Sequence, residues 1–449
     1  MNADRVVVIG GGPGGRIASL HLANAGREVL LVEEEALGGQ CLHSRCMVVC
    51  ALNDVARTLH QCRTLARRGV MAGPPEISFP DLLAGIRDVV GRIGEVIRQE
   101  TLDAGVEVLA ARGRLEDGQV FVDGAPVEAD AVIIATGSSP VLPAIEGRDL
   151  AGVITHREIS ALDTLPGRMV IVGGGVSAAE FAYIFRQLGS EVTLVSRREF
   201  LRGEDDRIRD QARRDLEGVA FLENVPVTAV TGTGGRATGV RLEDGSEVDA
   251  DTVLFATGVA PNTDATTGLS LGAAGEILVD EQMQTGIPGI YACGDVIGPP
   301  YLTPAAWREG LVAAENILGR PATISYTGIP RTMHLSLEYA HASCADEGST
   351  TFTAPGPAGP GTFWRVGAGG TGLVQVSADA GSGRITGVAS VSPAAGHTVP
   401  FLAFLMQVGI TTSRFADFFE SHPDSDGLVH LLKYMDEWRR SPSPSPGED

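Results

Sequence analysis

The sequence predicts an α/β protein with two Rossmann-like units followed by a C-terminal α+β segment. Three observations lead there. Residues 5–15 run from a short β-branched strand into glycines and then a helical pattern, and residues 169–178 repeat that order. After about residue 330 the pattern changes to short strands, with glycine and proline concentrated over 351–372. The expected segments are 1–150 for the first unit, 151–270 for the second and 271–330 for a return to the first. Residues 331–438 form the C-terminal domain and 439–449 a disordered tail with a low-complexity Ser-Pro repeat.

A chain of 449 residues has room for several domains and a sizeable core. With 43% hydrophobic and 20% charged residues it has ordinary globular composition. No apolar run approaches the roughly 20 residues that cross a bilayer, and no signal-peptide pattern precedes the first strand, so a cytoplasmic location with no membrane partner is expected. The net charge of −21 argues against nucleic acid and anionic membranes as partners. Six cysteines are too few for a disulfide scaffold in so long a chain. No second cysteine or histidine pair stands at ligand spacing, so no metal is expected.

In the first unit Gly10, Gly12 and Gly15 fit G-x-G-x-x-G, with Pro13 opening the helix. These glycines serve a tight turn, close approach to a pyrophosphate and helix-to-strand packing. The next strand, 29–32, delivers Glu33, whose carboxylate can accept hydrogen bonds from an adenosine ribose. Residues 53–110 read as mostly helical, broken at 73–75. A buried strand over 131–135 then turns at Thr136 and Gly137.

The second unit carries Gly173 and Gly175 in G-x-G-x-x-A, a helix through Glu180, Tyr183 and Leu188, and a strand over 191–195. Two such units imply two dinucleotides. Ser196-Arg197-Arg198 ends this strand and Arg202 lies just beyond, a set that matches a 2′-phosphate in charge and geometry. NADPH is therefore expected over NADH; the alternative is a solvated arginine cluster. The strand over 251–255 leads to Gly258, and 290–293 leads to Gly294 and Asp295. Cys293 reads as buried and inert. Thr303-Pro304 opens another helix, and later stretches over 374–376 and 385–391 read as antiparallel strands, with helices at 401–405 and 415–419.

Between the first unit's second strand and its long helices lies Gly38-Gly39-Gln40-Cys41-Leu42-His43-Ser44-Arg45-Cys46. Two cysteines five positions apart at the start of a helix can form a disulfide that opens with little backbone movement. A thiol in that first turn is drawn toward the thiolate, the form that exchanges with disulfides. The alternative is a pair of small buried residues.

These motifs in this order resemble the FAD-dependent pyridine nucleotide-disulfide oxidoreductases, the group of glutathione reductase, dihydrolipoamide dehydrogenase, mycothione reductase and mercuric reductase. The motifs that carry the resemblance are the first fingerprint, Gly-Gly-x-Cys-x4-Cys beginning at Gly38 and Gly39, Ala-Thr-Gly at 135–137 and the second fingerprint. Ala-Thr-Gly-x-x-Pro-Asn at 256–262, Cys-Gly-Asp at 293–295 and the late His422-Pro423 complete it. The resemblance implies FAD and NADPH domains, a C-terminal dimerisation domain and a homodimer. It makes Cys46 the thiol facing the flavin and Cys41 the interchange thiol that meets a small disulfide or thiol substrate. Asp295 would bind the ribityl and phosphate region of FAD. His422 of the other subunit would be acid and base, and exchange would use a thiolate at Cys41.

The sequence also departs from this pattern. Where the family carries a lysine that pairs with the glutamate corresponding to Glu180, this chain has Cys50, which reads either as a third reactive thiol or as a packed small residue. Glu180, without that lysine, should be harder to ionise if buried. The glutamate that orients the family's histidine is here Gly427, with Asp424 or Asp426 as substitutes, and Val176 stands where some members have an aromatic gate. Two functions follow. The first is an NADPH-dependent reductase using Cys41 and Cys46. The alternative is a flavoprotein oxidase or sulfur-handling enzyme of specialised metabolism. Mercuric reductase is disfavoured because the tail lacks a cysteine pair, and dihydrolipoamide dehydrogenase because of Arg197 and Arg198.

Overall fold

The computed structural model describes residues 4–344, 349–355, 372–419, 428–429, 431–433 and 435. The helices used below are α1 (Pro13–Asn24), α2 (Gly39–His43), α3 (Cys46–Arg67), α4 (Phe79–Asp103), α5 (Val176–Leu188), α6 (Asp206–Asp215), α7 (Thr303–Ile317) and α8 (Ala395–Gln407). The chain divides into two compact units. One comprises Met1–Ala51, Ile77–Gly173 and Val227–Ser325, the other Leu52–Glu76, Gly174–Pro226 and Tyr326–Asp449.

The first unit is built on a five-stranded parallel sheet in the order Ile290–Ala292, Ala131–Ile134, Arg5–Ile9, Glu28–Glu33, Glu107–Ala110. Its central strands are continuous runs of Val, Ile and Leu because both faces are covered, which is what a parallel sheet requires. Val6, Val8, Leu31 and Ile133 pack against α1 and α7, while Val7, Ile9, Val32 and Ile134 face Leu115, Val120 and Val122. The helical pattern expected up to residue 110 stops at the end of α4. Glu107–Ala110 is an edge strand instead, in register with Leu30 to Glu33, so strand pairing overrides a weak helical periodicity. Three short antiparallel strands that follow, Gly113–Glu116, Gln119–Val122 and Ala125–Val127, turn at Asp117-Gly118 and Asp123-Gly124, where all four residues have positive φ. Asp-Gly at a two-residue hairpin was a legible signal.

The second unit holds α5, α6 and the parallel strands Glu191–Ser196 and Ala220–Glu223. It also holds a five-stranded antiparallel sheet in the order Arg331–His334, Glu338–Ser343, Ile385–Ser392, Leu373–Asp379, Ser349–Pro355. Val376, Val388 and Ala342 on that sheet bury against Val399, Ala403 and Met406 of α8. The expected C-terminal strands form and extend further than anticipated. α8 begins at Ala395, and the stretch expected as a helix over 415–419 is a 3₁₀ segment, Thr412–Asp417. His422, Asp424, Asp426, Gly427 and the tail lie outside the described residues.

Candidate active site

The first fingerprint folds as its residues dictate. Gly10 has φ +106°, and a Cβ there would stand 2.3 Å from Ala135 O; one on Gly15 would stand 2.0 Å from Gly10 O. Above Gly12 nothing lies within 4 Å of the place a Cβ would take, and no side chain caps α1 there. Pro13, at the first helical position, gives up an N–H that would have no partner. The result is an open helix N-terminus suited to a pyrophosphate. Glu33 ends the next strand with its carboxylate held by the N–H groups of Gly11 (2.6 Å) and Glu35 (2.8 Å). An open N-terminal cradle beside an oriented carboxylate fits the dinucleotide half of FAD.

The turn at Thr136 is locked by Asn262: Thr136 Oγ1 donates to Asn262 O (2.7 Å) and Asn262 Nδ2 to Thr136 O (2.9 Å). Gly137 and Gly258 have φ +71° and +103°. Gly294, φ +79°, donates its N–H to Glu309 Oε2 at 2.7 Å and leads into Asp295.

The cysteine stretch is two helices rather than one. Gly38 and Gly39 both have positive φ, and the N–H groups of Ser44 and Arg45 fold back onto Gln40 O at 3.0 and 2.8 Å, which ends α2 after His43. Cys41 therefore sits on α2 and Cys46 opens α3. The turn brings both thiols to one hydroxyl: Thr303 Oγ1, at the start of α7, lies 3.3 Å from Cys41 Sγ and 3.6 Å from Cys46 Sγ. A hydrogen bond from Cys41 to Cys46 decides the proton. That bond, followed by burial, holds the Cys41 thiol far above its ordinary range. Cys46, accepting it and helped by Thr303 and the Arg45 guanidinium, falls to about 6. In this geometry Cys46 is the more readily ionised of the two thiols. Cys50 is exposed on the same helix one turn later. Cys293 is fully buried and its thiol is pushed up by desolvation, in line with the inert role expected.

A further set of side chains surrounds this turn. Arg45 Nη1 pairs with Asp295 Oδ2 at 3.3 Å, and Ser138 Oγ donates to the same oxygen at 2.6 Å. Gln40 Nε2 donates to Ser138 O, and Gln40 Oε1 faces His156 Nε2 at 2.9 Å. Thr303, Arg45, Gln40, Ser138 and His156 are not among the site residues expected from the sequence. Only Arg45, adjacent to Cys46, had a signal in the chain.

In the second unit α5 starts at Val176 with no side-chain cap and open space above Gly175. Arg197, Arg198 and Arg202 are exposed and form no ion pair among the described residues. Gly173, in the first unit, has φ +150°, and a Cβ on it would stand 2.3 Å from Ala256 O. Glu180 Oε1 accepts the backbone N–H of His334 at 2.9 Å.

Residues 4–310 match the family described as pyridine nucleotide-disulphide oxidoreductase. The chain is similar to dihydrolipoyl dehydrogenase of Thermus scotoductus, 30% identical over 457 residues, spanning 96% of this chain and 97% of that protein. It is also similar to glutathione reductase of Burkholderia cepacia, 35% identical over 323 residues, spanning 70% and 71%. Among solved structures, LpdA from Mycobacterium tuberculosis has a TM-score of 0.86 at 27% identity and covers 96% of this chain and 99% of its own. With a glycine cradle, a paired dithiol and this coverage in agreement, the chain belongs to the pyridine nucleotide-disulfide oxidoreductases, enzymes that depend on FAD and move electrons between a pyridine nucleotide and a disulfide.

Proposed function

We propose that the protein is an NADPH-dependent reductase of a small disulfide, acting through Cys41 and Cys46. The observation that carries this reading is the single Thr303 hydroxyl in contact with both sulfurs. Gly10, Gly12, Pro13, Gly15 and Glu33 would hold the adenosine diphosphate part of FAD, with Gly39, Thr136, Gly137, Gly294 and Asp295 toward its flavin half. Arg197, Arg198 and Arg202 would take the 2′-phosphate of NADPH beside the α5 N-terminus that Gly175 opens; Gly173 and Gly258 would shape the cofactor-binding turns of the first unit. When bound, FAD supplies the two-electron carrier between the nucleotide's hydride and the cysteine pair. The domain reading follows: 1–150 and 271–330 for FAD, 151–270 for NADPH, and 331–438 for dimerisation.

In the reduced pair Cys46 ionises more readily than Cys41. Cys41 gives its proton to a base, attacks one sulfur of the substrate disulfide and forms a mixed disulfide, and the released thiolate takes a proton. Cys46 thiolate then attacks Cys41 Sγ, restores the Cys41–Cys46 bond and expels the second thiolate. We assign the base to His422 of a second copy of the chain, with Asp424 or Asp426 orienting it. A homodimer agrees with the exposed apolar face of α8, where Phe401 is 75% and Phe404 62% accessible. Glu180, lacking the lysine expected opposite it, is held by a backbone amide and keeps the segment around His334 in place. The exposed thiol of Cys50 supports the second reading, an oxidase or sulfur-handling enzyme acting on a thiol or a carrier-bound intermediate.

The test is reduction of a panel of small disulfides by the purified protein with NADPH or NADH. Turnover with NADPH that disappears in Cys41→Ser supports the reductase. Replacing Arg197 and Arg198 by alanine should raise KM for NADPH about tenfold or more and leave NADH unchanged. Slow NADPH consumption together with oxygen uptake driven by a thiol, lost in Cys50→Ser, would favour the second reading.

A further inference from the structure

Arg45 stands at a position that the reductase chemistry does not use. Its backbone N–H donates to Gln40 O at 2.8 Å, closing the turn between the two thiols. Its guanidinium, only 28% accessible, reaches Asp295 Oδ2 at 3.3 Å. From Asp295 the contacts return: Ser138 Oγ donates to the same carboxylate oxygen, and Gln40 Nε2 donates to Ser138 O. Arg45, Gln40, Ser138 and Asp295 thus form a closed ring of hydrogen bonds that joins the thiol-bearing turn to the strand ends on either side. His156 locks the ring from outside, because Gln40 spends its amide N–H on Ser138 and leaves Oε1 to accept from His156 Nε2–H.

We propose that Arg45 is a positioning residue, held by this ring so that a fixed cation stands beside the thiol pair and favours its ionised form, read out at Cys46. The inference rests on the reading of Cys41 and Cys46 as the redox pair and adds a group that promotes their ionisation. A guanidinium free to swing into water would be screened, whereas one fixed at both its backbone and its side chain keeps its field on the sulfurs. Both thiols feel that field, and so does His156. Among the described residues the ionisable groups acting on Cys46 are Cys41 on α2 and Arg45 on the turn, with the Asp295 carboxylate paired to Arg45. The hydroxyl of Thr303 comes from α7. His156 adds no competing charge at neutral pH, since burial, reinforced by Arg45 and Arg157, lowers its imidazole to about 4.

The experiment is iodoacetamide alkylation of the full chain, reduced with dithiothreitol, desalted, and read at Cys46 by fragment-ion mass spectrometry across pH. The wild-type rate should rise with a midpoint of about 6. Arg45→Met should move that midpoint up by about one pH unit, so that the thiolate fraction at pH 6 falls about fivefold. Arg45→Lys should recover part of the shift, and Ser138→Ala, which keeps the charge and loosens the ring, should move the midpoint in the same direction by less. An unchanged midpoint in Arg45→Met overturns the proposal, and so does an equal shift in Arg45→Met and Arg45→Lys, which would reduce the effect to lost packing. If Arg45→Met fails to fold by circular dichroism, the lysine and Ser138 variants decide on the same criterion. No substrate is involved, so loss of the reductase reading, seen as disulfide turnover indifferent to Cys41→Ser, is told apart from loss of this one.

Discussion

Thr303 touches both sulfur atoms, and its hydroxyl can donate to only one at a time. Whichever sulfur carries the charge takes that proton, so the residue stabilises the thiolate without choosing a fixed partner. Thr303→Ala should raise the Cys46 ionisation midpoint by about one pH unit and slow disulfide reduction about tenfold, whereas Thr303→Ser should keep most of both. The checks are the pH dependence of alkylation at Cys46 and steady-state turnover. Thr303 stands 262 residues from Cys41, and in the chain it reads only as the opening of a helix before proline. Glu33 was legible because its place at a strand end after the fingerprint is a local matter. The ionisation order of the cysteines was not, since it depends on a hydrogen bond that exists only once the turn at Ser44 has formed.

At the scale of elements, the break between α2 and α3 does what a single helix could not. It turns Cys41 and Cys46 toward the same hydroxyl, with two positive-φ glycines and a doubly accepting Gln40 carbonyl as its local causes. The same turn is tied to the segment carrying His156, and that tie has a pH signature. Burial lowers the His156 imidazole from its ordinary 6.5 to about 4 in the folded chain. Below pH 6.5 the unfolded chain therefore takes up a proton that the folded chain refuses. Stability should fall as pH drops from 6.5 toward 4 and level off beneath that. His156→Gln should remove this component, seen as a flatter dependence of the melting temperature on pH over that interval. The edge strand Glu107–Ala110 marks where reading by helical periodicity went astray, because the pairing available from a neighbouring strand decided there.

At the scale of the whole molecule, an apolar face on α8 is exposed among the described residues. Phe401, Phe404 and Val408 are 75%, 62% and 65% accessible, a spacing of three and four residues along one helix. Phe404→Glu should convert a dimer to a monomer by light scattering. It should also abolish disulfide turnover, because the assigned base comes from the second copy, while leaving the Cys46 alkylation profile unchanged.

The chain by itself determined the Rossmann-like α/β class, the glycine turns, the carboxylate at the end of the second strand, the arginines at 197, 198 and 202 and the two cysteines five positions apart. Each of these is written in periodicity or backbone stereochemistry over a few neighbouring residues. Only the tertiary structure decided which hydroxyl serves both sulfurs and what holds Arg45 in place. Those properties arise from groups more than 90 residues apart in sequence, such as Gln40 and Ser138, and hydrogen bonds and electrostatic fields act over a few ångströms of space rather than along the chain.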